Sequence, residues 1–339
     1  MRIGIVNDQP MALEALRRVL ALRPDHSVIW AACDGAQAIA ACARETPDLV
    51  LMDLVMPGTD GVEATRQIMA ATPCAILIVT ASVGANSARA FDAMGYGAID
   101  AVDTPVLGRG DLQEGAAAFL HKIDTVAKLL GTRRFIPSAN TFNDTWIITR
   151  RERLVAIGAS AGGPAALTAV LSGLPKNFPA AVVIVQHVDA RFAQGMADWL
   201  SRDSALPVRV AKEGDRPAVG TVLLAGTNDH LCFLSAERVG YSPEPRDQAY
   251  RPSVDVFFAS VGVHWTGEAV GVLLTGMGRD GAIGLKALRD KGHYTIAQDQ
   301  ATSTVYGMPK AAASLGAAVD ILPLERIAPR LVDTFRNKF

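Results

Sequence analysis

The sequence predicts two α/β domains, each built on a parallel sheet, and three observations predict it. Short apolar runs alternate with amphipathic segments through both halves, the pattern of strands and crossover helices. The alternation breaks over residues 131–151, where GTRRFIPSANTFNDTW is rich in turn formers and polar residues and reads as a linker. A chain of 339 residues is long enough for two cores. The expected division is a first domain over 1–130, a linker over 131–151 and a second domain over 152–339.

In the first half the strand candidates are IGIV (3–6), SVIWAA (27–32), LVLMDL (49–54), AILIVT (75–80) and AIDAV (98–102). Helical patterns fall near 11–22, 35–45, 61–71, 86–95 and 111–130, which completes a small domain with a five-stranded parallel sheet. Beyond the linker, RLVAIGAS, AVVIVQH, PVRVA, TVLLAG, AVGVLLTG and TIAQD are strand candidates for a second, mostly parallel, doubly wound sheet.

Composition excludes several classes. A net charge of -1 gives no global attraction to nucleic acid or anionic membrane, and the basic pairs at 17–18, 133–134 and 150–151 are isolated. The four cysteines form no C-x-x-C pair and read as reduced thiols. No stretch approaches the ~18 apolar residues of a spanning helix. The opening MRIGIVNDQP holds no signal-length apolar run, so the expected location is the cytoplasm.

Chemistry is concentrated at strand ends. In RLVAIGASAGGPAALTAVLSGL (153–174) an apolar strand runs into a glycine-rich turn, and Pro164 opens a helix. G-x-S-x-G is matched literally, which places Ser160 at a sheet edge beside a helix N-terminus suited to developing negative charge. Read alone, Ser160 is equally a small residue in a βα turn. A dinucleotide site competes poorly, because Ser160 replaces the middle glycine of G-x-G-x-x-G and the next strand ends in Gln186-His187 rather than a ribose-binding acid. Of the six histidines, His187 and His230 end strands near turn sequence. His187 falls on the edge that carries Ser160. Asp280, in the turn after AVGVLLTG, is a candidate to orient an imidazole; a helix N-cap is its alternative role. The chain order Ser…His…Asp differs from that of the α/β-hydrolases.

With these residues in place, the sequence resembles the chemotaxis-type protein-glutamate methylesterases, the CheB family, over essentially its whole length. The matching segments are IGASAGG (157–163), VQH (185–187), RPSVDVFF (251–258), LLTGMGRDGA (273–282) and QDQATSTVYGMPKAA (298–312). The resemblance implies a flavodoxin-like receiver domain followed by a methylesterase domain. It puts Ser160, His187 and Asp280 on the family's nucleophile, general base and orienting acid. It implies hydrolysis of γ-glutamyl methyl esters on a methyl-accepting chemoreceptor-type protein, with glutamine deamidation as a second activity. Backbone N–H groups at Ala161, Gly162 and Met277 are the candidate oxyanion donors. Two departures affect substrate fit: Ala161 stands where the family often has Thr, and AGTNDHL (225–231) replaces a P-G-G-like turn.

The first half resembles a two-component receiver. Asp53 falls on the phospho-acceptor, fed by a chemotaxis-type sensor histidine kinase. Asp8, Asp53 and the carbonyl of Val55 would hold Mg²⁺, and Thr80 is the hydroxyl switch. Here too the chain departs from its family. The usual acidic pair is Asn7-Asp8, Thr104 stands where a lysine is expected, and Ala101 replaces the aromatic switch residue. Thr104-Pro105 is a candidate cis bond by the same resemblance. The departures fit a branch serving a non-flagellar pathway, such as the surface-sensing type named Wsp. The expected regulation is an unphosphorylated receiver packed over the Ser160 edge. The alternative function is a receptor-binding regulator that keeps the fold and has lost catalysis.

Overall fold

In the computed structural model, which describes residues 1–81, 86–105, 112–130 and 152–336, the first half is one βα repeat wound five times. The order is β1 (Arg2–Val6), α1 (Pro10–Leu20), β2 (Ser27–Ala32), α2 (Gly35–Arg44), β3 (Leu49–Met52), α3 (Gly61–Ala71), β4 (Ala75–Thr80), α4 (Ser87–Gly95), β5 (Asp100–Asp103) and α5 (Leu112–Leu130). The strands form one parallel sheet in the order β2-β1-β3-β4-β5. Local chemistry sets the helix starts. Asp34 and Asp60 accept the Gln37 and Glu63 N–H groups as N-caps, and Pro10 opens α1. The central strand β3, LVLM, is buried at every position, as a strand covered on both faces must be.

The second half continues with β6 (Arg153–Ala159), α6 (Gly163–Ser172), β7 (Ala181–Gln186), α7 (Ala190–Asp203), β8 (Val208–Val210), β9 (Val222–Leu224), β10 (His230–Phe233) and β11 (Val239–Ser242). It closes with α8 (Val254–His264), β12 (Glu268–Leu273), α9 (Ala282–Asp290), β13 (Tyr294–Gln298), α10 (Met308–Ser314), β14 (Asp320–Leu322) and α11 (Leu324–Arg336). Seven strands make a sheet in the order β14-β13-β12-β6-β7-β9-β8, parallel at every pairing. Among the described residues, antiparallel pairing is confined to the separate hairpin β10–β11. The five-stranded receiver-type sheet and the doubly wound second sheet are therefore both present.

The proposed linker, 131–151, lies outside the described residues. Thr104-Pro105 is not cis: Thr104 N–H carries the ladder on to the Thr80 carbonyl at 2.9 Å, and the cis bonds among the described residues are Glu244–Pro245 and Arg251–Pro252. Residues of both halves share one apolar cluster, in which Phe91 and Met94 of α4 meet Met196 and Trp199 of α7. The Phe91 and Trp199 rings lie 6.0 Å apart.

Candidate active site

β6 and β12 are adjacent strands, and β7 lies on the other side of β6. Their C-terminal ends therefore carry Ser160, His187 and the 275–281 turn to one edge, where open α/β sheets bind ligands. The turn that carries Ser160 is bolted from several directions. Ser160 N–H donates to the Thr275 carbonyl at 3.0 Å, and Gln186 Nε2 donates to the Ser160 carbonyl at 2.8 Å. Thr275 Oγ1 reaches the Ala161 carbonyl at 2.9 Å. Gly162 takes the left-handed conformation, φ 73°, to begin α6. A methyl on Gly276 would lie 2.8 Å from Ser160 Cβ, so the two turns meet only because that residue is glycine.

His187 Nε2 lies 2.7 Å from Asp280 Oδ2. Asp280 is 7 % exposed, and its carboxylate has four partners. Besides His187, Ser253 Oγ donates to Oδ1 at 2.8 Å, Val254 N–H to Oδ2 at 2.6 Å and Asp255 N–H to Oδ1 at 3.0 Å. Burial pushes the Asp280 carboxyl up, but the hydrogen bond and charge of His187 and the two amides outweigh it and hold it below the ordinary carboxylate range. The N-cap role open to Asp280 falls instead to Gly281, and Asp280 takes the N-terminal amides of a different helix, α8.

Ser160 Oγ makes no hydrogen bond among the described residues, and His187 Nδ1 is buried with no partner. Only the Asp280–His187 arm of the constellation is closed; the serine arm is open. Both residues line one cleft of about 460 Å³. Sequence reasoning missed Tyr250, whose ring lies flat on His187 at 4.3 Å between centroids and 6° between planes.

The far wall of that cleft belongs to the first half: Phe91 and Met94 of α4, Asp100 and Ala101 of β5, and Lys122 of α5. Polar contacts tie the halves together. Trp199 Nε1 and Arg202 Nη1 both reach Asp92 Oδ1, at 3.0 and 3.3 Å, and Arg191 pairs with Asp103 at 3.3 Å. Gly162 N–H donates to the Ile99 carbonyl at 3.2 Å, whereas Ala161 and Met277 N–H make no hydrogen bond among the described residues.

At the other end of the first sheet, Asp53 is buried. Its Oδ2 accepts Asn7 Nδ2 at 2.8 Å and its Oδ1 accepts Leu54 N–H at 2.7 Å. Burial raises the Asp53 carboxyl pKa, the Leu54 and Val55 amides oppose it, and the Asp8 charge adds to the rise. Asp8 Oδ1 is buried without a partner. Thr80 Oγ1 accepts Asn86 Nδ2 at 3.1 Å. Among the described residues no three His, Cys, Asp or Glu side chains form a metal-binding group, and no helix is long and apolar enough to cross a membrane.

Residues 155–331 match the family model described as CheB methylesterase, and residues 3–122 match the response regulator receiver domain. The chain belongs to the CheB methylesterase family. It is a hydrolase carrying a response-regulator domain. A Burkholderia thailandensis protein named protein-glutamate methylesterase/protein-glutamine glutaminase 4 is 61 % identical over 98 % of this chain and 97 % of its own. A Pseudomonas syringae pv. tomato relative, protein-glutamate methylesterase/protein-glutamine glutaminase 3, is 59 % identical over 99 % of both chains. Among solved structures, the Thermotoga maritima CheB methylesterase catalytic domain is similar, with a TM-score of 0.52 and 33 % identity over 54 % of this chain and 98 % of that one.

Proposed function

We propose that this CheB-family chain hydrolyses γ-glutamyl methyl esters on a methyl-accepting chemoreceptor-type protein, releasing methanol, and deamidates receptor glutamines at the same site. The observation that carries this reading is the buried 2.7 Å His187–Asp280 pair in the cleft that Ser160 lines. With Nε2–H donated to Asp280, a neutral His187 keeps the Nδ1 lone pair as its base. Ser160 Oγ attacks the ester carbonyl and passes its proton to Nδ1. The protonated ring then gives that proton to the departing methoxide, and water attacks the acyl-serine by the reverse transfers to leave a glutamate carboxylate. For glutamine the leaving group is ammonia. Ala161, Gly162 and Met277 N–H groups are the proposed donors to the oxyanion.

The same reading makes the receiver the regulator. In the closed arrangement the Ile99 carbonyl engages the Gly162 N–H, so that donor is free for an oxyanion only when the receiver moves. A receptor helix, about 10–12 Å across, needs the space that α4 occupies. Phosphorylation by a chemotaxis-type histidine kinase is proposed at Asp53. The unpartnered, buried Asp8 oxygen beside Asp53 suits a hard cation, so Asp8, Asp53 and the Val55 carbonyl would hold Mg²⁺. When bound, that ion neutralises phosphoryl charge. Thr80 accepts from Asn86, so its own O–H is free to donate to a phosphoryl group. Asn86 stands at the N-cap of α4, the helix docked on α7, which joins switch to interface. Thr104 supplies no charge where a lysine is usual. We assign the chain to a Wsp-like surface-sensing branch on these departures, with a cytoplasmic location and the division 1–130, 131–151 and 152–339.

The test is methanol release from methylated receptor membranes by wild type, Ser160→Ala and Asp53→Ala, with and without a small phosphodonor. Release is expected to vanish in Ser160→Ala and to lose its phosphodonor response in Asp53→Ala. Equal release by wild type and Ser160→Ala would leave a receptor-binding regulator as the reading.

A further inference from the structure

His230, read from the sequence as ending a strand, instead begins one, and the reaction above leaves it without a task. It opens β10 and is 0 % exposed. Its two ring nitrogens reach opposite ends of one excursion of the chain. Nε2 lies 3.0 Å from the Pro245 carbonyl oxygen, which can only accept, so Nε2 carries the hydrogen. Nδ1 accepts the Ser253 N–H at 3.0 Å. One neutral imidazole therefore clips both ends of the segment 245–253.

That segment delivers the site's supporting contacts. Tyr250 stacks on His187, and Arg251 binds Asp229 at 2.7 Å. Ser253 Oγ donates to Asp280, and the next two N–H groups, Val254 and Asp255, donate to the same carboxylate. Among the described residues, every donor to Asp280 other than His187 thus comes from residues 253–255, whose entry point is held by His230. Replacing His230 with an apolar residue would leave the Pro245 carbonyl and the buried Ser253 N–H unpaired, so the strap would have to move to satisfy them.

We propose that His230 is a positioning residue for ester hydrolysis: it fixes the strap 245–253 so that Ser253 orients Asp280 and Tyr250 backs His187. This rests on the assignment of Ser160, His187 and Asp280 made above. A brace that only adds stability and a residue that positions Asp280 move different observables. Loss of stability lowers the amount of active enzyme and leaves the pH profile where it was. Loss of donors makes Asp280 a stronger base and, through it, His187, so the acid limb of kcat/KM moves to higher pH. The titratable groups facing Asp280 are His187, Tyr250 and Asp255, and none is altered by the substitutions below.

The experiment compares full-length His230→Asn, His230→Gln, Ser253→Ala and the His230→Gln/Ser253→Ala double variant, with Ser160→Ala as control. Methanol release from methylated receptor membranes is followed across the range in which histidine titrates, with rates scaled to the folded fraction. Asn keeps an acceptor near the Nδ1 position, facing Ser253; Gln keeps a donor near the Nε2 position, facing Pro245. His230→Gln is expected to lose on the order of 10- to 100-fold in kcat with KM little changed and the acid limb moved up. His230→Asn should retain the larger share. Ser253→Ala should reproduce the shift, and the double variant should lose little more than His230→Gln alone. If His230→Gln does not fold, the limb of Ser253→Ala decides. The proposal is overturned by an unmoved limb in Ser253→Ala and His230→Gln, or by a loss that disappears on scaling to folded protein. If Ser160→Ala is as active as wild type, the esterase reading itself fails; if it is inactive while the His230 and Ser253 variants match wild type, only the role of His230 fails.

Discussion

Asp92→Ala should release the catalytic cleft from the receiver. Asp92 sits on α4 and accepts from the side chains of both Trp199 and Arg202. The ion pair to Arg202 has side chains 53 % and 39 % exposed, so it contributes at most about 1 kcal/mol. The indole N–H matters more, because Trp199 is 8 % exposed and a buried donor left unpaired costs about 1–3 kcal/mol. A neighbouring cavity of about 420 Å³, lined by Asp92, Thr168 and Trp199, can admit a water to that N–H, which favours the lower end of the range. The closed interface then loses about 1.5 kcal/mol, a shift of about tenfold in the closed-to-open ratio. Basal methanol release without phosphodonor should rise about tenfold, up to the ceiling set by the fully stimulated rate. Trp199→Phe, which removes the donor and keeps the ring against Phe91, should give a smaller rise. An unchanged basal rate in Asp92→Ala, with unchanged stimulation by phosphodonor, would refute the claim that this contact opposes catalysis.

Three further outcomes are expected. Tyr250→Phe keeps the stacked ring and should leave kcat/KM near wild type, whereas Tyr250→Ala should lower it about two- to tenfold in steady-state kinetics. Asn7→Asp replaces a donor to Asp53 with a third carboxylate beside Asp8 and Asp53, and calorimetry should read Mg²⁺ binding tighter by about tenfold or more; equal or weaker binding would contradict the site. Asp280 has a depressed carboxyl, so its stabilising contribution is complete above the unfolded pKa of about 3.9 and is lost as pH falls through the lower folded value. Urea midpoints of wild type and Asp280→Asn should therefore differ at neutral pH and converge as pH falls below about 4.

Much of the fold was legible because each buried parallel strand is a short apolar run closed by a turn former. SVIWAA and AILIVT coincide with β2 and β4, and GVEATRQIMAA, read as a helix, is α3. Ser160 and His187 directly follow β6 and β7, and Asp280 lies in the turn after β12, so all three were legible at one edge for the same reason: a parallel sheet sends all its C-terminal ends to one side. Tyr250 was not. It lies in SPEPRDQAYRPS, between the last hairpin strand and α8, where no period links residues to a face. The pairing of β10 with β11 was equally hidden, since each strand has four residues and too few alternations to register. The Ile99–Gly162 contact joins residues from separate domains, and neither segment carries any local signal of the other.

The missing receiver lysine reads differently once the interface is in view. A lysine at position 104 would act on a phosphoryl group through charge, yet the segment that carries Thr104 is already tied to the catalytic half by the Asp103–Arg191 pair. Asp189, which also binds Arg191, caps α7 two residues after His187. On the proposed regulation, the end of β5 would reach the Ser160 edge through this pair without a lysine. Arg191 is 64 % exposed, so this pair alone is weak, and most of the closed state's stability must lie in the Phe91, Met94, Met196 and Trp199 cluster. That division suits a switch. In the proposed closed state the apolar contact would hold the receiver over Ser160, and the polar contacts at Asp92, Asp103 and Ile99 would fix the register in which the Gly162 amide is covered. On that reading, a modest displacement of α4, held at its N-terminus through the Asn86–Thr80 bond, would disturb both at once.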